Sequence, residues 1–175
     1  LVHAATRLNA SLAEVVQGAD VVSFGGTKNG LMFGEAVVIL NPERCHDVKY
    51  IRKQLMQLPS KSRFIGAQFL KLFENELWKT ISKHSTQMAD YLASELRKVP
   101  AIQITQPVQS NAVFALFPKA IIKPLREKYF FYVWNENTFE VRLMTSFDTT
   151  KEHVDGFIEE LKSLVDREHP NPKGA

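Results

Sequence analysis

A single lysine, Lys28, lies in the string Ser23-Phe24-Gly25-Gly26-Thr27-Lys28-Asn29-Gly30, between two runs of apolar residues. The glycines let the backbone come close to a bound molecule. The hydroxyls of Ser23 and Thr27, with free main-chain amides, can hold a phosphate. A lysine amine placed among them can condense with a carbonyl to form an imine. Together these are the needs of a pyridoxal-phosphate site, where an aldehyde cofactor is carried on lysine and its phosphate is anchored alongside. Two other readings compete. The nucleotide-binding loop needs G-x-x-x-x-G-K-[ST]; here Asn29 follows the lysine and no glycine directly precedes it, so the spacing fails. A glycine-rich turn with a solvent-exposed lysine stays open, and on composition alone it is the plainer reading.

The flanking elements must position that loop. Asp20-Val21-Val22-Ser23-Phe24 and Ala36-Val37-Val38-Ile39-Leu40 are β-branched and aromatic runs, the second closed by Asn41-Pro42. Their near-continuous apolar character is that of strands buried on both faces in the middle of a larger sheet. Before them, Leu12 to Gly18 reads as a short helix with Asn9 or Ser11 as its cap. A polar helical stretch runs from Pro42 to about Met56. A long helix follows over about Arg63 to Val99, with a kink or phase shift near Ser82, and Pro100 ends it.

Beyond Pro100 the elements alternate. Strands are expected at Ile102–Ile104, Ala112–Phe117, Phe130–Trp134 and Glu140–Met144. A helix entered at Pro118 should be shortened or kinked by Pro124. A last amphipathic helix spans Lys151 to about Arg167, capped by Thr149 or Thr150, before a Pro-containing tail from His169.

Composition narrows the function classes. A net charge of +3 over 175 residues, with acidic and basic side chains interspersed, argues against a nucleic-acid surface. One cysteine, Cys45, excludes an intrachain disulfide. No apolar run reaches the roughly 18 residues of a spanning helix, and no signal peptide is visible, so no membrane association and a cytoplasmic location are the expectations. No Cys/His cluster has metal-ligand spacing. His3, His46 and His84 belong to no motif.

The whole string from Ser23 to Gly30, continued by Leu31-Met32-Phe33-Gly34-Glu35-Ala36-Val37-Val38, resembles the cofactor-lysine segment of the threonine aldolase and β-eliminating lyase family of fold type I pyridoxal-phosphate enzymes. Ser60-Lys61-Ser62-Arg63-Phe64-Ile65-Gly66-Ala67-Gln68-Phe69-Leu70 is similar to the family's entry into the helix leading to its small domain. Val141-Arg142-Leu143-Met144-Thr145-Ser146-Phe147-Asp148-Thr149-Thr150 is similar to its late strand. The resemblance covers nearly the whole chain to about Val165. It implies an α/β fold: the trailing part of a large cofactor domain with a mostly parallel sheet (1–48), connecting helices (49–87), a small C-terminal α/β domain (88–167) and a tail (168–175).

The same resemblance implies that Lys28 holds pyridoxal 5'-phosphate as a Schiff base and later moves protons at the substrate carbons. It implies that Thr27 contacts the cofactor phosphate and that Arg142 grips the amino-acid carboxylate. A surface position is the alternative for Arg142, but its neighbours Val141 and Leu143 are apolar, so it shares no face with them and can point into a cleft. Arg63 could reach the phosphate or a neighbouring subunit, or simply begin a surface helix. The implied activity is that of a lyase cleaving a β-hydroxy-α-amino acid, such as threonine or allo-threonine, to glycine and an aldehyde in a homodimer or homotetramer. A β-eliminating lyase using the same lysine is the alternative.

The family pattern just upstream is Asp-Gly-Ala-Arg-Leu, a variable residue, then Asn-Ala. Leu1-Val2-His3-Ala4 fits its tail, with His3 where Asn is usual. The aspartate that pairs with the pyridine nitrogen would fall before Leu1. The chain is therefore expected to be a C-terminal half, a poor catalyst or none by itself, completed by an N-terminal half. As a further alternative it is a non-catalytic half-protein acting only with that partner.

Overall fold

The computed structural model describes residues 1–168. The chain divides into two units, Leu1–Ser82 and the residues from Lys83 onward, each with its own apolar core.

The first unit opens with a helix that its short apolar pattern did not reveal, α1 (Val2–Leu8), which turns Val2 and Ala5 inward. Asn9 ends it in a left-handed conformation (φ 50°), as asparagine tolerates better than most residues. Ser11, not Asn9, caps α2 (Leu12–Val15). The Glu14 amide donates to Ser11 Oγ at 3.2 Å, and the Ser11 amide donates back to Glu14 Oε2 at 2.7 Å. This reciprocal pair satisfies two helix-end donors at once and holds the Glu14 carboxyl below its ordinary pKa.

Strands β1 (Val21–Phe24) and β2 (Ala36–Ile39) pair with each other, antiparallel, from Val21 opposite Ile39 to Phe24 opposite Ala36. The mostly parallel sheet expected around them is not formed among the described residues. Nor are the strands buried on both faces: Val37 is 65% exposed and Val21 43%. With only two strands, one face (Val22, Phe24, Ala36 and Val38) lines an apolar hollow with Phe69 and Phe73. The other carries Val21, Ser23 and Val37 outward. Their apolar character is thus that of sheet-interior residues that this pair of strands alone does not cover.

A 3-10 turn (Pro42–Arg44) and α3 (Val48–Gln54) occupy the polar stretch. The long helix expected over Arg63–Val99 is two: α4 (Ser62–Phe73) and α5 (Leu77–Leu96). The break lies at Glu74–Glu76, where Asn75 and Glu76 take left-handed φ values of 51° and 55°, and not at Ser82. The polar interval beginning at Ser82 stays helical, with its hydroxyls bonded back into the helix. Ser82 Oγ donates to the Lys79 carbonyl and Thr86 Oγ1 to the Lys83 carbonyl.

In the second unit a four-stranded antiparallel sheet runs in the order β3 (Gln103–Ile104), β4 (Ala112–Leu116), β6 (Glu140–Met144), β5 (Tyr132–Asn135). Alternation along the central strands sends Val113, Ala115, Val141 and Leu143 into the core. There they join Leu92 and Leu96 of α5, Ile121 and Leu125 of α6 (Lys119–Lys128), and Phe157 and Leu161 of α7 (Lys151–Glu168). Pro124 does not end α6, which runs on to Lys128. Thr150, of the two candidates, caps α7, its hydroxyl accepting from the His153 amide at 3.2 Å. The expected tail lies outside the described residues apart from Glu168, the last residue of α7.

Leu125 is fully buried at the centre of this core. Leu125→Ala is expected to lower the stability of the intact protein by about 2–5 kcal/mol, read as a lower urea midpoint at unchanged slope.

Candidate active site

The lysine turn is built by hydrogen bonds that its glycines make possible. After β1 the chain enters a single 3-10 turn, Thr27–Asn29. The Asn29 and Leu31 amides both donate to the Gly26 carbonyl, at 2.9 and 3.2 Å, and the Thr27 amide donates to the Gly34 carbonyl at 3.1 Å. A Cβ on Gly26 would lie 2.4 Å from that Gly34 oxygen and 2.8 Å from the Phe69 ring. Only glycine fits where the two limbs of the loop close on each other. Gly30 ends the turn at φ 100°, with Ile81 packed against it, again a place for glycine.

Two residues that sequence reasoning gave no role hold the loop shut. Asn29 is buried, and its Nδ2 donates to the Gly25 carbonyl at 2.6 Å. Gln68, one helical turn after Phe64 on α4, accepts from the Met32 amide at 2.9 Å and the Phe33 amide at 3.4 Å. Its own Nε2 donates to the Phe64 carbonyl at 3.2 Å. Both residues stand inside the strings that matched the family. The signal available was their polarity in otherwise apolar or glycine-rich surroundings.

Lys28 and Thr27 are adjacent and exposed on this turn. The Thr27 hydroxyl oxygen accepts from the Gly34 amide at 3.0 Å, which fixes its position and leaves its own proton available to an anion. The Lys28 methylenes and the Glu35 carboxylate approach the face of Gly25 where a side chain would otherwise stand. A primary amine beside an anchored hydroxyl, on a turn where Gly25, Gly26 and Gly30 carry no side chains, fits the aldehyde and phosphate of pyridoxal phosphate.

Arg63 lies in the first turn of α4, two residues before Ile65, whose side chain packs against Gly34. It is exposed, with its guanidinium over the Phe64 ring at 5.1 Å. Arg142 belongs to the second unit. It sits on β6 between Val141 and Leu143, which face the core, and projects on the opposite face of the sheet. Its Nε is buried and has no hydrogen-bond partner among the described residues. Among those residues no group of three or more His, Cys, Asp or Glu side chains could hold a metal ion, and no helix is long and apolar enough to cross a membrane.

The family model described as beta-eliminating lyase matches residues 1–119, and the chain belongs to that family. Among curated proteins it is 32% identical over 148 residues to a low specificity L-threonine aldolase of Pseudomonas sp. and 33% over 152 residues to that of Pseudomonas aeruginosa. Each match covers 85% of this chain and 43% of the relative, so the chain spans less than half the length of the curated relatives it matches. Among solved structures, a threonine aldolase of Leishmania major aligns with a TM-score of 0.82 at 30% identity, over 94% of this chain and 49% of that one. A glycine decarboxylase (P-protein) of the glycine cleavage system aligns at 0.51 and 17% identity, over 82% of this chain and 34% of that one, a likeness of fold alone. The fold is that of part of a fold type I pyridoxal-phosphate enzyme.

Proposed function

We propose that the protein is a pyridoxal-phosphate lyase cleaving β-hydroxy-α-amino acids, threonine or allo-threonine, to glycine and an aldehyde, with this chain as its lysine-bearing portion. The observation that carries the reading is the glycine-closed Thr27-Lys28 turn in a chain about one-third identical to low specificity L-threonine aldolases. When bound, the cofactor supplies the carbonyl that captures the substrate amine and the conjugated ring that takes up electrons as Cα–Cβ breaks.

The rest is the work of side chains. Lys28 Nζ would hold the cofactor and, once released, would deliver to Cα the proton that completes glycine, while a base takes the β-hydroxyl proton as the aldehyde forms. Thr27 donates its hydroxyl proton to the phosphate, held in place by the Gly34 amide. Arg63 offers the phosphate a second, cationic partner. Arg142 grips the α-carboxylate through two in-plane N–H groups, and so orients the substrate's Cα–Cβ bond for scission. The same reading carries a homodimer or homotetramer. It is supported by apolar side chains beside the lysine turn, Met32 and Phe33, that stand exposed.

A second reading, β-elimination by the same lysine, is favoured by the family description. Product analysis separates the two. The intact protein, loaded with pyridoxal phosphate and given L-threonine or L-allo-threonine, is expected to release acetaldehyde and glycine in equal amounts. Release of 2-oxobutanoate and ammonia instead would overturn the aldolase reading in favour of elimination.

A further inference from the structure

Arg142 is surrounded by aromatic rings on the sheet face that lies away from the core. Its cross-strand neighbours are Phe114 on β4 and Tyr132 on β5. The guanidinium carbon stands 5.3 Å from the centre of the Tyr132 ring and 4.7 Å from that of Trp134. Phe114 meets Trp134 edge-on, with ring centres 5.5 Å apart and planes at 74°.

Trp134 owes its place to an irregularity. Along β5 and β6, Val133 pairs with Val141, but the next pair is Asn135 with Glu140, so Trp134 is the extra residue. A bulge on an edge strand takes a side chain out of regular alternation and re-aims it. Burial does not account for these rings. Trp134 is 54% exposed and Tyr132 52%, neither belongs to the core, and both converge on one charge.

The chemistry of guanidinium gives this arrangement a purpose. Its five N–H donors lie in the plane of the group, while its faces stack on rings. Rings against the faces leave the edge to accept an anion and restrict rotation of the plane. The partnerless, buried Nε is one of those edge donors, and a bound carboxylate would satisfy it.

We propose that Trp134 is a positioning residue for Arg142: together with Tyr132 it fixes the guanidinium plane so that its N–H edge meets the substrate α-carboxylate. This inference rests on the carboxylate role given to Arg142 under the proposed function.

The test uses the intact holoenzyme with L-threonine and the variants Trp134→Ala, Trp134→Phe and Arg142→Ala. Trp134→Ala is expected to raise KM about tenfold while kcat changes little, and Trp134→Phe to recover most of the loss. Arg142→Ala raises KM further, and adding Trp134→Ala to it costs nothing more, because the two act through one group. Independently of any destabilising variant, saturation with glycine should change the tryptophan emission of the wild-type protein, and that change should vanish in Trp134→Phe.

A normal KM in Trp134→Ala, with KM raised in Arg142→Ala, overturns the positioning role and leaves the carboxylate role standing. So do losses that add in the double variant, or an emission that glycine does not alter. A normal KM in Arg142→Ala overturns the carboxylate reading and this inference with it.

Discussion

Lys28→Ala in the intact holoenzyme is expected to lower turnover of threonine by about three to four orders of magnitude, the contribution of a positioned proton-transfer group. The loss has two sources that a second substitution separates. Lys28 is exposed on a turn closed by main-chain bonds from Asn29 and Leu31 to Gly26 and from Thr27 to Gly34, so removing its side chain leaves the turn standing. Stability should therefore change little, and the defect should be chemical. Lys28→Arg keeps the positive charge but replaces a nucleophilic amine by a guanidinium that stays protonated. It should be as inactive as Lys28→Ala. Substantial activity in Lys28→Arg would mean that position 28 contributes charge rather than an amine, and the solvent-exposed turn lysine would be the better description. The measurement is turnover under saturating substrate, with denaturation midpoints to show that both variants fold.

Gly26→Ala is expected to damage the same site through the backbone. Gly26 has φ −61°, a conformation open to alanine, so the penalty is one of space. The new methyl would stand 2.4 Å from the Gly34 carbonyl oxygen, 2.6 Å from Leu31 Cδ1 and 2.8 Å from Phe69 Cζ. The first of these is backbone, which cannot turn aside as a side chain tip does. Relief requires the two limbs of the loop to part, and that breaks the Thr27-to-Gly34 bond and the anchor on the Thr27 hydroxyl together. Overpacking of this kind costs about 1–3 kcal/mol. Because the strain sits beneath Thr27 and Lys28, cofactor affinity should fall along with stability. Gly66→Ala is the control. On α4, with nothing within 4 Å of a new methyl, it should be neutral or stabilise by up to about 1 kcal/mol. Equal effects at the two glycines would contradict the account of how the turn is closed.

The sequence was most informative where several residue types had to coincide. Gly25-Gly26 before Thr27-Lys28 announced a backbone that needed room, and Gly26 occupies a place no side chain can enter. Alternation along Val141-Arg142-Leu143 was enough to place Arg142 on the face opposite the core. Pairing was less legible. Two apolar runs of four or five residues look alike whether they lie parallel inside a large sheet or antiparallel to each other. Hydrophobic content records the wish for burial, not the neighbour that provides it.

The helix break is not legible in the periodicity, because Phe69, Leu72, Phe73 and Leu77 keep helical spacing across Glu74–Glu76 while the left-handed turn at Asn75 leaves little trace. Near Ser82 the apolar repeat is interrupted by a polar interval, which reads as a kink or phase shift, yet the helix continues with the Ser82 and Thr86 hydroxyls bonded to carbonyls one turn back. Gln68 was hidden for a different reason. Its partners are the main-chain amides of Met32 and Phe33, thirty-six and thirty-five positions away, and no local pattern encodes that meeting. The same holds for Trp134, whose reach to Arg142 depends on a one-residue slip in the ladder.

If Lys28 carries the cofactor, the link between them can be trapped. Borohydride reduction of the intact, pyridoxal-phosphate-loaded protein makes the lysine–cofactor link permanent, and peptide mass spectrometry then locates it. A single phosphopyridoxyl group is expected on the peptide containing Thr27-Lys28-Asn29, and none on that peptide in Lys28→Ala. A label on another lysine of the wild-type protein, or no label after loading, would rule out Lys28 as the cofactor lysine.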